Sequence, residues 1–176
     1  MIVLITGGSK CGKSALAENL FRNFQGKKFY IATMIPYGDE AEQAIERHRK
    51  IRKDKNFHTI EKYTDIQDID IPENSGVLLE CMGNLCANEM FSEEKICNPV
   101  EKIISGIEKL SEKCSLLVIV SNNVGCDGLK YGFETAYYIK YLGQINQRIA
   151  LISDTVIECV YGIPIILKGD FLCLNP

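Results

Sequence analysis

The chain has 176 residues, 46% of them apolar and 24% charged, with 14 glycines and 5 prolines. That is the profile of a globular domain able to bury roughly 70% of its unfolded surface, and it excludes a disordered or fibrous protein. A net charge of −3 and a pI near 5.5 supply no field for nucleic acid or an anionic membrane, so a small-molecule ligand is expected.

The first apolar run, Ile2 to Thr6, follows no basic segment and ends at a glycine pair, so it predicts a strand rather than a signal peptide. Leu16, Leu20 and Phe24 predict a helix by their spacing. Lys28 to Thr33 predicts the second strand. Asp39 to Lys53 predicts a helix, acidic in its first turn and basic in its last, as the helix dipole favours. Asp65 to Ser75, with Pro72 and Asn74, predicts a loop. Further strands are predicted at Val77 to Cys81 and Leu116 to Ser121. Ile139, Leu142, Ile145, Ile149 and Ile152 mark a late helix. The runs Val156 to Tyr161 and Ile163 to Leu167, separated only by Gly162, predict a terminal hairpin.

Apolar strands alternating with amphipathic helices predict an α/β fold: a mostly parallel sheet with helices on both faces and one antiparallel strand at the C-terminal end. No repeat or composition shift divides the chain, so residues 1–176 read as one nucleotide-binding domain. No apolar run reaches the ~20 residues of a membrane helix. The eight cysteines, Cys11, Cys81, Cys86, Cys97, Cys114, Cys126, Cys159 and Cys173, form no C-x-x-C pair. They read as reduced thiols of a cytoplasmic protein.

Between the first strand and first helix lies Gly7-Gly8-Ser9-Lys10-Cys11-Gly12-Lys13-Ser14, which meets the phosphate-loop spacing G-x-x-x-x-G-K-S at every key position. Glycines let successive backbone N–H groups turn toward a phosphate, and the following helix N-terminus favours the same anion. Lys13 would neutralise β- and γ-oxygens and the Ser14 hydroxyl would ligate Mg²⁺. An acidic residue at the end of a nearby apolar strand is expected to hold the metal or its water, and Glu80 after Val77-Leu78-Leu79 fits. The G-x-G-x-x-G spacing of dinucleotide sites is absent.

His48 lies among Arg47, Arg49, Lys50, Arg52 and Lys53. Clustered cations disfavour the imidazolium, and a neutral ring can attack an α-phosphate whose oxygens those cations stabilise. On spacing alone, His48 and His58 read equally as solvated surface residues.

The combination resembles a known family: the bifunctional adenosylcobinamide kinase and adenosylcobinamide-phosphate guanylyltransferase of cobalamin biosynthesis. The resemblance rests on Thr6-Gly7-Gly8 with the phosphate loop; Tyr30-Ile31-Ala32-Thr33; Asp39-Glu40 followed by Ile45, His48, Arg49 and Arg52; and Thr59 with Glu61. It continues through Leu79-Glu80-Cys81 with Asn88, Ser121-Asn122 with Val124-Gly125, and Gly143-Gln144-Ile145-Asn146-Gln147. It implies a P-loop NTPase sheet of RecA-like type, ATP and GTP as substrates with Mg²⁺, and adenosylcobinamide as acceptor. It also implies His48 as the residue that carries GMP, and contacts to nucleotide from Thr33, Met34, Arg49, Lys50, Arg52, Glu61 and Glu80. A homotrimer is implied as well, with the histidine helix reaching toward a neighbour's nucleotide.

One stretch departs from the family's pattern. Where the family reads Ser-Asn-Glu-Val-Gly and then Pro-Glu-Asn, this chain has Ser121-Asn122-Asn123-Val124-Gly125 and then Cys126 to Gly132. A carboxylate is missing at Asn123. Two other readings therefore stand beside the first: a P-loop kinase that keeps one activity or takes another hydroxylated substrate, and a non-catalytic nucleotide-binding regulator.

Overall fold

Runs of Val, Ile and Leu fill both faces of a pleated surface, and the computed structural model, which describes residues 1–38, 46, 55–93 and 95–170, places them in a central sheet. Its strands are β1 (Ile2–Thr6), β2 (Lys28–Ala32), β3 (Phe57–Glu61), β4 (Ser75–Leu79), β5 (Cys114–Val120), β6 (Thr155–Val160) and β7 (Ile163–Lys168). Their order is β3-β2-β4-β5-β1-β6-β7. The pairs are parallel up to β6, and β7 runs antiparallel to β6. The α-helices among the described residues are α1 (Lys13–Asn19), α2 (Met82–Met90), α3 (Val100–Lys113) and α4 (Phe133–Ile152).

Strand periodicity divides the core in two. Leu4, Val77, Leu79, Leu117, Ile119 and Val156 face Leu85, Ile103, Ile107, Leu142 and Ile145 of α2, α3 and α4. Val3, Ile5, Leu78, Val118 and Ile157 face Ala17 of α1 and Phe21 just beyond it. Helices thus cover both faces, as expected. The terminal hairpin also forms as expected. Tyr161 (φ 52°) and Gly162 (φ 81°) are both left-handed, as a two-residue turn of this twist requires.

Several elements differ from expectation. The first helix stops at Asn19, because Phe21 and Arg22 donate to Glu18 and Asn19 three residues back, and this tightens the chain out of α-geometry. Leu20 and Phe24 lie past its end yet still pack on the α1-side core. The edge strand β3 escapes the apolar-run criterion, since only Phe57 and Ile60 of its five residues are apolar. Helices α2 and α3 likewise match no expected element; α2 starts two residues after β4, with the Cys81 sulfur accepting from the Asn84 N–H at 3.5 Å. The expected 65–75 loop carries a 3₁₀ turn at Ile66–Asp68, and Ser75 already belongs to β4. The helix expected over Asp39 to Lys53 lies outside the described residues.

Candidate active site

β1 delivers the chain to Gly7 at the carboxyl edge of the sheet, and α1 begins at Lys13. The residues between reverse direction through left-handed positions at Gly7 (φ 145°), Lys10 (φ 57°) and Gly12 (φ 103°). Space as well as φ demands the glycines. A Cβ on Gly7 would lie 2.5 Å from the Cys159 carbonyl oxygen, and one on Gly12 would lie 3.1 Å from Gly162 Cα. The loop is docked on the β6–β7 hairpin, where the Gly162 N–H donates to the Cys11 carbonyl at 2.7 Å.

Lys13 is only 7% exposed. Its ammonium donates to the carbonyls of Gly7 at 3.0 Å and Gly8 at 2.5 Å, and no carboxylate among the described residues pairs with it. A buried cation held, among the described residues, by carbonyl dipoles and the Cys11 sulfur is poised for an incoming anion. The first-turn N–H groups of α1 have no partner within the helix, and Ser14 stands exposed among them.

Neighbouring strand ends carry the rest of the site. The Asn123 N–H donates to the Gly7 carbonyl at 3.0 Å. Its side chain accepts from the Thr6 hydroxyl and donates to Glu158 Oε1 at 3.0 Å. Asn123 thereby ties together the ends of β1, β5 and β6. Buried Ser121 donates to Asn146 Oδ1 of α4 at 2.6 Å, which fixes the end of β5.

On the other side, the fully buried Thr33 hydroxyl donates to the Cys81 carbonyl at 2.9 Å. Asn88 of α2 donates to the carbonyls of Thr33 at 2.8 Å and Tyr63 at 3.0 Å. The Tyr63 hydroxyl donates to exposed Glu61 at 3.3 Å. Glu80 follows β4, its N–H donating to the Ile31 carbonyl at 3.1 Å. Burial pushes the Cys81 thiol pKa up, the Glu80 carboxylate adds to this, and the Lys13 ammonium opposes it. Lys13 and Glu80 therefore act on one electrostatic neighbourhood.

The carboxyl edge carries Gly7, Gly8, Ser9, Lys10, Cys11, Gly12, Lys13 and Ser14 after β1, Glu80 after β4 two strands away, Thr33 and Met34 after β2 three strands away, and Glu61 at the end of β3 four strands away. His48, Arg49, Lys50 and Arg52 lie outside the described residues. His58 is exposed on β3 with its ring 5.7 Å from that of Phe29. It sits three residues before Glu61, about 10 Å short of the edge at ~3.3 Å per residue. The departing loop Cys126 to Gly132 is exposed and organised by Asp127, which accepts from the Leu129 N–H at 3.1 Å and from the Tyr131 hydroxyl.

Sequence reasoning assigned no role to Asn88, Asn146 or Glu158. The first two stood inside the quoted motifs and now emerge as clamps on strand ends. Glu158 carried a readable signal, a lone charge within the apolar run Val156 to Val160.

Comparison with known proteins bears on this geometry. A model of the family described as cobinamide kinase / cobinamide phosphate guanyltransferase matches residues 3–167. The bifunctional adenosylcobalamin biosynthesis protein CobU of Escherichia coli (strain K12) is 28% identical, the match covering 96% of this chain and 100% of that protein. Its namesake in Salmonella typhimurium is 26% identical over the same shares. The bifunctional adenosylcobalamin biosynthesis protein CobP of Pseudomonas aeruginosa is 27% identical, covering 95% of this chain and 97% of its own. Among solved structures, the P4 protein from bacteriophage phi6 in complex with ADP aligns with a TM-score of 0.40 at 13% identity, over 93% of this chain and 52% of that one.

Proposed function

The chain belongs to the cobinamide kinase / cobinamide phosphate guanyltransferase family, and from that premise we propose that it performs both reactions on adenosylcobinamide. In the first, the acceptor hydroxyl oxygen attacks the γ-phosphorus of ATP or GTP, the nucleoside diphosphate leaves and the hydroxyl proton is released. In the second, a His48 ring nitrogen attacks the α-phosphorus of GTP and pyrophosphate leaves. The phosphate of adenosylcobinamide phosphate then displaces histidine, forming a P–O–P link as the P–N bond breaks. The observation that carries this reading is the family match over residues 3–167, nearly the whole chain, together with relatives named bifunctional whose full length the chain matches.

The geometry supports roles for individual groups. Lys13 would leave the carbonyls of Gly7 and Gly8 for the β- and γ-oxygens, while loop and first-turn N–H groups bind the bridging region. Ser14 and Glu80, with phosphate oxygens and water, make the hard all-oxygen donor set that suits Mg²⁺. Among the described residues no group of three or more His, Cys, Asp or Glu gathers for a metal. Bound there, Mg²⁺ would neutralise phosphate charge. The chain has two histidines, and His58 stands back from the edge, which favours His48 as the GMP carrier. Arg49, Lys50 and Arg52 would then neutralise its phosphate, with Thr33, Met34 and Glu61 lining the nucleotide. A cytoplasmic homotrimer that bears no nucleic acid completes the proposal. No helix among the described residues is long and apolar enough to cross a membrane.

Incubation with GTP labelled at the α-phosphate tests the transferase half. Acid-labile, alkali-stable label is expected on the chain and absent from His48→Ala. No label on the parent would sink the transferase role, whereas label on the variant would sink only the assignment of His48. Phosphate transfer from ATP to adenosylcobinamide is assayed separately, because the kinase half does not need His48. Asn123 and the exposed 126–132 loop favour one second reading, a kinase with a single surviving activity or another hydroxylated acceptor. Phosphorylation without labelling would select it.

A further inference from the structure

Two thiols meet beneath the phosphate loop, and neither has a part in the reactions above. Cys11 lies in the loop between left-handed Lys10 and Gly12 and is half-buried. Cys159, near the end of β6, is 1% exposed. The Cys159 thiol donates to the Cys11 carbonyl at 3.1 Å, the same oxygen that accepts from Gly162.

The two glycines of the loop border the space that both sulfurs share. A Cβ on Gly7 would stand 2.9 Å from the Cys11 sulfur and 2.5 Å from the Cys159 carbonyl, and one on Gly12 would stand 3.6 Å from the Cys159 sulfur. Lys13 Nζ lies 3.8 Å from the Cys11 sulfur on its other side. Burial raises the Cys159 thiol pKa, and the Cys11 side chain beside it raises it further.

We propose that Cys11 and Cys159 form a reversible disulfide under the loop, a modification site through which a peroxide disables nucleotide binding. Cys11, the accessible thiol, attacks one oxygen of hydrogen peroxide. The O–O bond breaks, leaving a sulfenic acid on Cys11, and the departing hydroxide takes up the Cys11 thiol proton as water. Cys159 sulfur then attacks the Cys11 sulfur, the S–S bond forms, the S–O bond breaks, and the hydroxide takes up the Cys159 proton. In sum, two thiols and one peroxide give one disulfide and two waters. A dithiol reverses the reaction by exchange.

The consequence follows from where the bond sits. To bond, the two sulfurs must approach to about 2.05 Å, drawing position 11 toward β6. Gly12 is already pressed against Gly162, so the loop cannot follow as a rigid unit. The shift falls on the N–H array and on the carbonyls that hold Lys13. A pair of this kind switches rather than staples, since it spans the nucleotide-binding loop itself.

The inference rests on the loop binding nucleotide, and the test separates the two ideas. The full reduced chain is treated with equimolar hydrogen peroxide, capped with iodoacetamide and mapped by mass spectrometry, and its affinity for a fluorescent GTP analogue is measured before and after. A Cys11–Cys159 linked peptide is expected, with at least tenfold weaker binding that dithiothreitol restores. In Cys159→Ser the ratio of oxidised to reduced affinity should stay near one, each variant serving as its own reference. Absence of the linked peptide, or a linked chain that binds as well as the reduced one, overturns the proposal. A reduced chain that binds no nucleotide overturns instead the reading of the loop, while the peptide map still decides the bond.

Discussion

Along the carboxyl edge of the sheet, the half formed by β1, β5 and β6 is laced by a neutral amide, whereas the half formed by β2, β3 and β4 is braced by buried polar groups and a cation. In the first, Asn123 alone links Thr6, Gly7 and Glu158. In the second, Thr33 and Asn88 hold strand ends, and behind them Lys102 bridges Glu89 and Asp65 at 2.6 Å each. Glu89 also accepts from the Asp65 N–H at 2.6 Å, which anchors the segment after Tyr63. A loop that must admit a phosphate gains from a light neutral tie, because a fixed carboxylate against Lys13 would compete with the ligand. The outer half meets no such constraint, and its polar groups are set rigidly.

The largest expected effect joins the halves. Lys13→Ala removes the cation that both proposed reactions share, so phosphorylation and guanylylation should both fall by roughly 10²–10³ in kcat/KM. Loss of only one would show that the two reactions do not use the same loop. Lys102→Met acts on the outer half alone. It leaves Glu89, 2% exposed, without its cation, and should cost about 2–3 kcal/mol in chemical denaturation, below the 3–5 of a sealed pair because Lys102 is 40% exposed.

That brace also has a pH signature. Lys102, foremost, and Thr64 hold the Asp65 carboxyl below its ordinary value of 3.8. A lowered carboxyl pKa stabilises the fold above the unfolded value and loses that contribution as pH falls through the folded one. The parent should therefore lose more stability than Lys102→Met on acidification below pH 3.8. Asn88→Ala comes next. Two carbonyls, those of Thr33 and Tyr63, lose their donor, at about 1–3 kcal/mol. Because Thr33 is proposed to line the nucleotide, GTP affinity should fall with it, whereas affinity for inorganic triphosphate, which meets only the loop, should be unchanged; a drop in both would erase the distinction between the halves.

Legibility in the sequence followed the same division. The phosphate loop was readable because each key position must be one residue type for a backbone reason, as Gly7 and Gly12 show by their φ and their lack of room for a Cβ. The central strands were readable because burial on both faces leaves unbroken apolar runs. β3 was not, since an edge strand with exposed His58, Thr59 and Glu61 carries no such run. Nor was α2, whose start is capped by a sulfur instead of a serine or aspartate. Thr33 was named only through the family resemblance, and its hydroxyl binds the Cys81 carbonyl, a long-range contact that no local pattern encodes. Glu158 pairs with Thr6 only through the β1–β6 register, so its place beside the loop depended on knowing the strand order.

The smallest expected effect tests whether the loop half needs its tie to be neutral. Asn123→Asp keeps an acceptor for Thr6 but sets a second carboxylate against Glu158 Oε1, now 3.0 Å from the amide nitrogen. Two carboxylates in contact cannot both ionise without strain, so one should titrate above its ordinary range. A raised carboxyl pKa destabilises the fold as pH rises through the unfolded value toward the folded one, the reverse of Asp65. With Asn123 exposed and Glu158 half-buried, the repulsion should be about 1 kcal/mol at neutral pH and vanish in acid. Adding Glu158→Gln restores a donor between the two positions and should recover most of it, which a double-mutant cycle in denaturant reads directly. If instead the single variant matches the parent at neutral pH, the lacing through Asn123 does not hold the loop, and the difference between the two halves lies only in the outer brace.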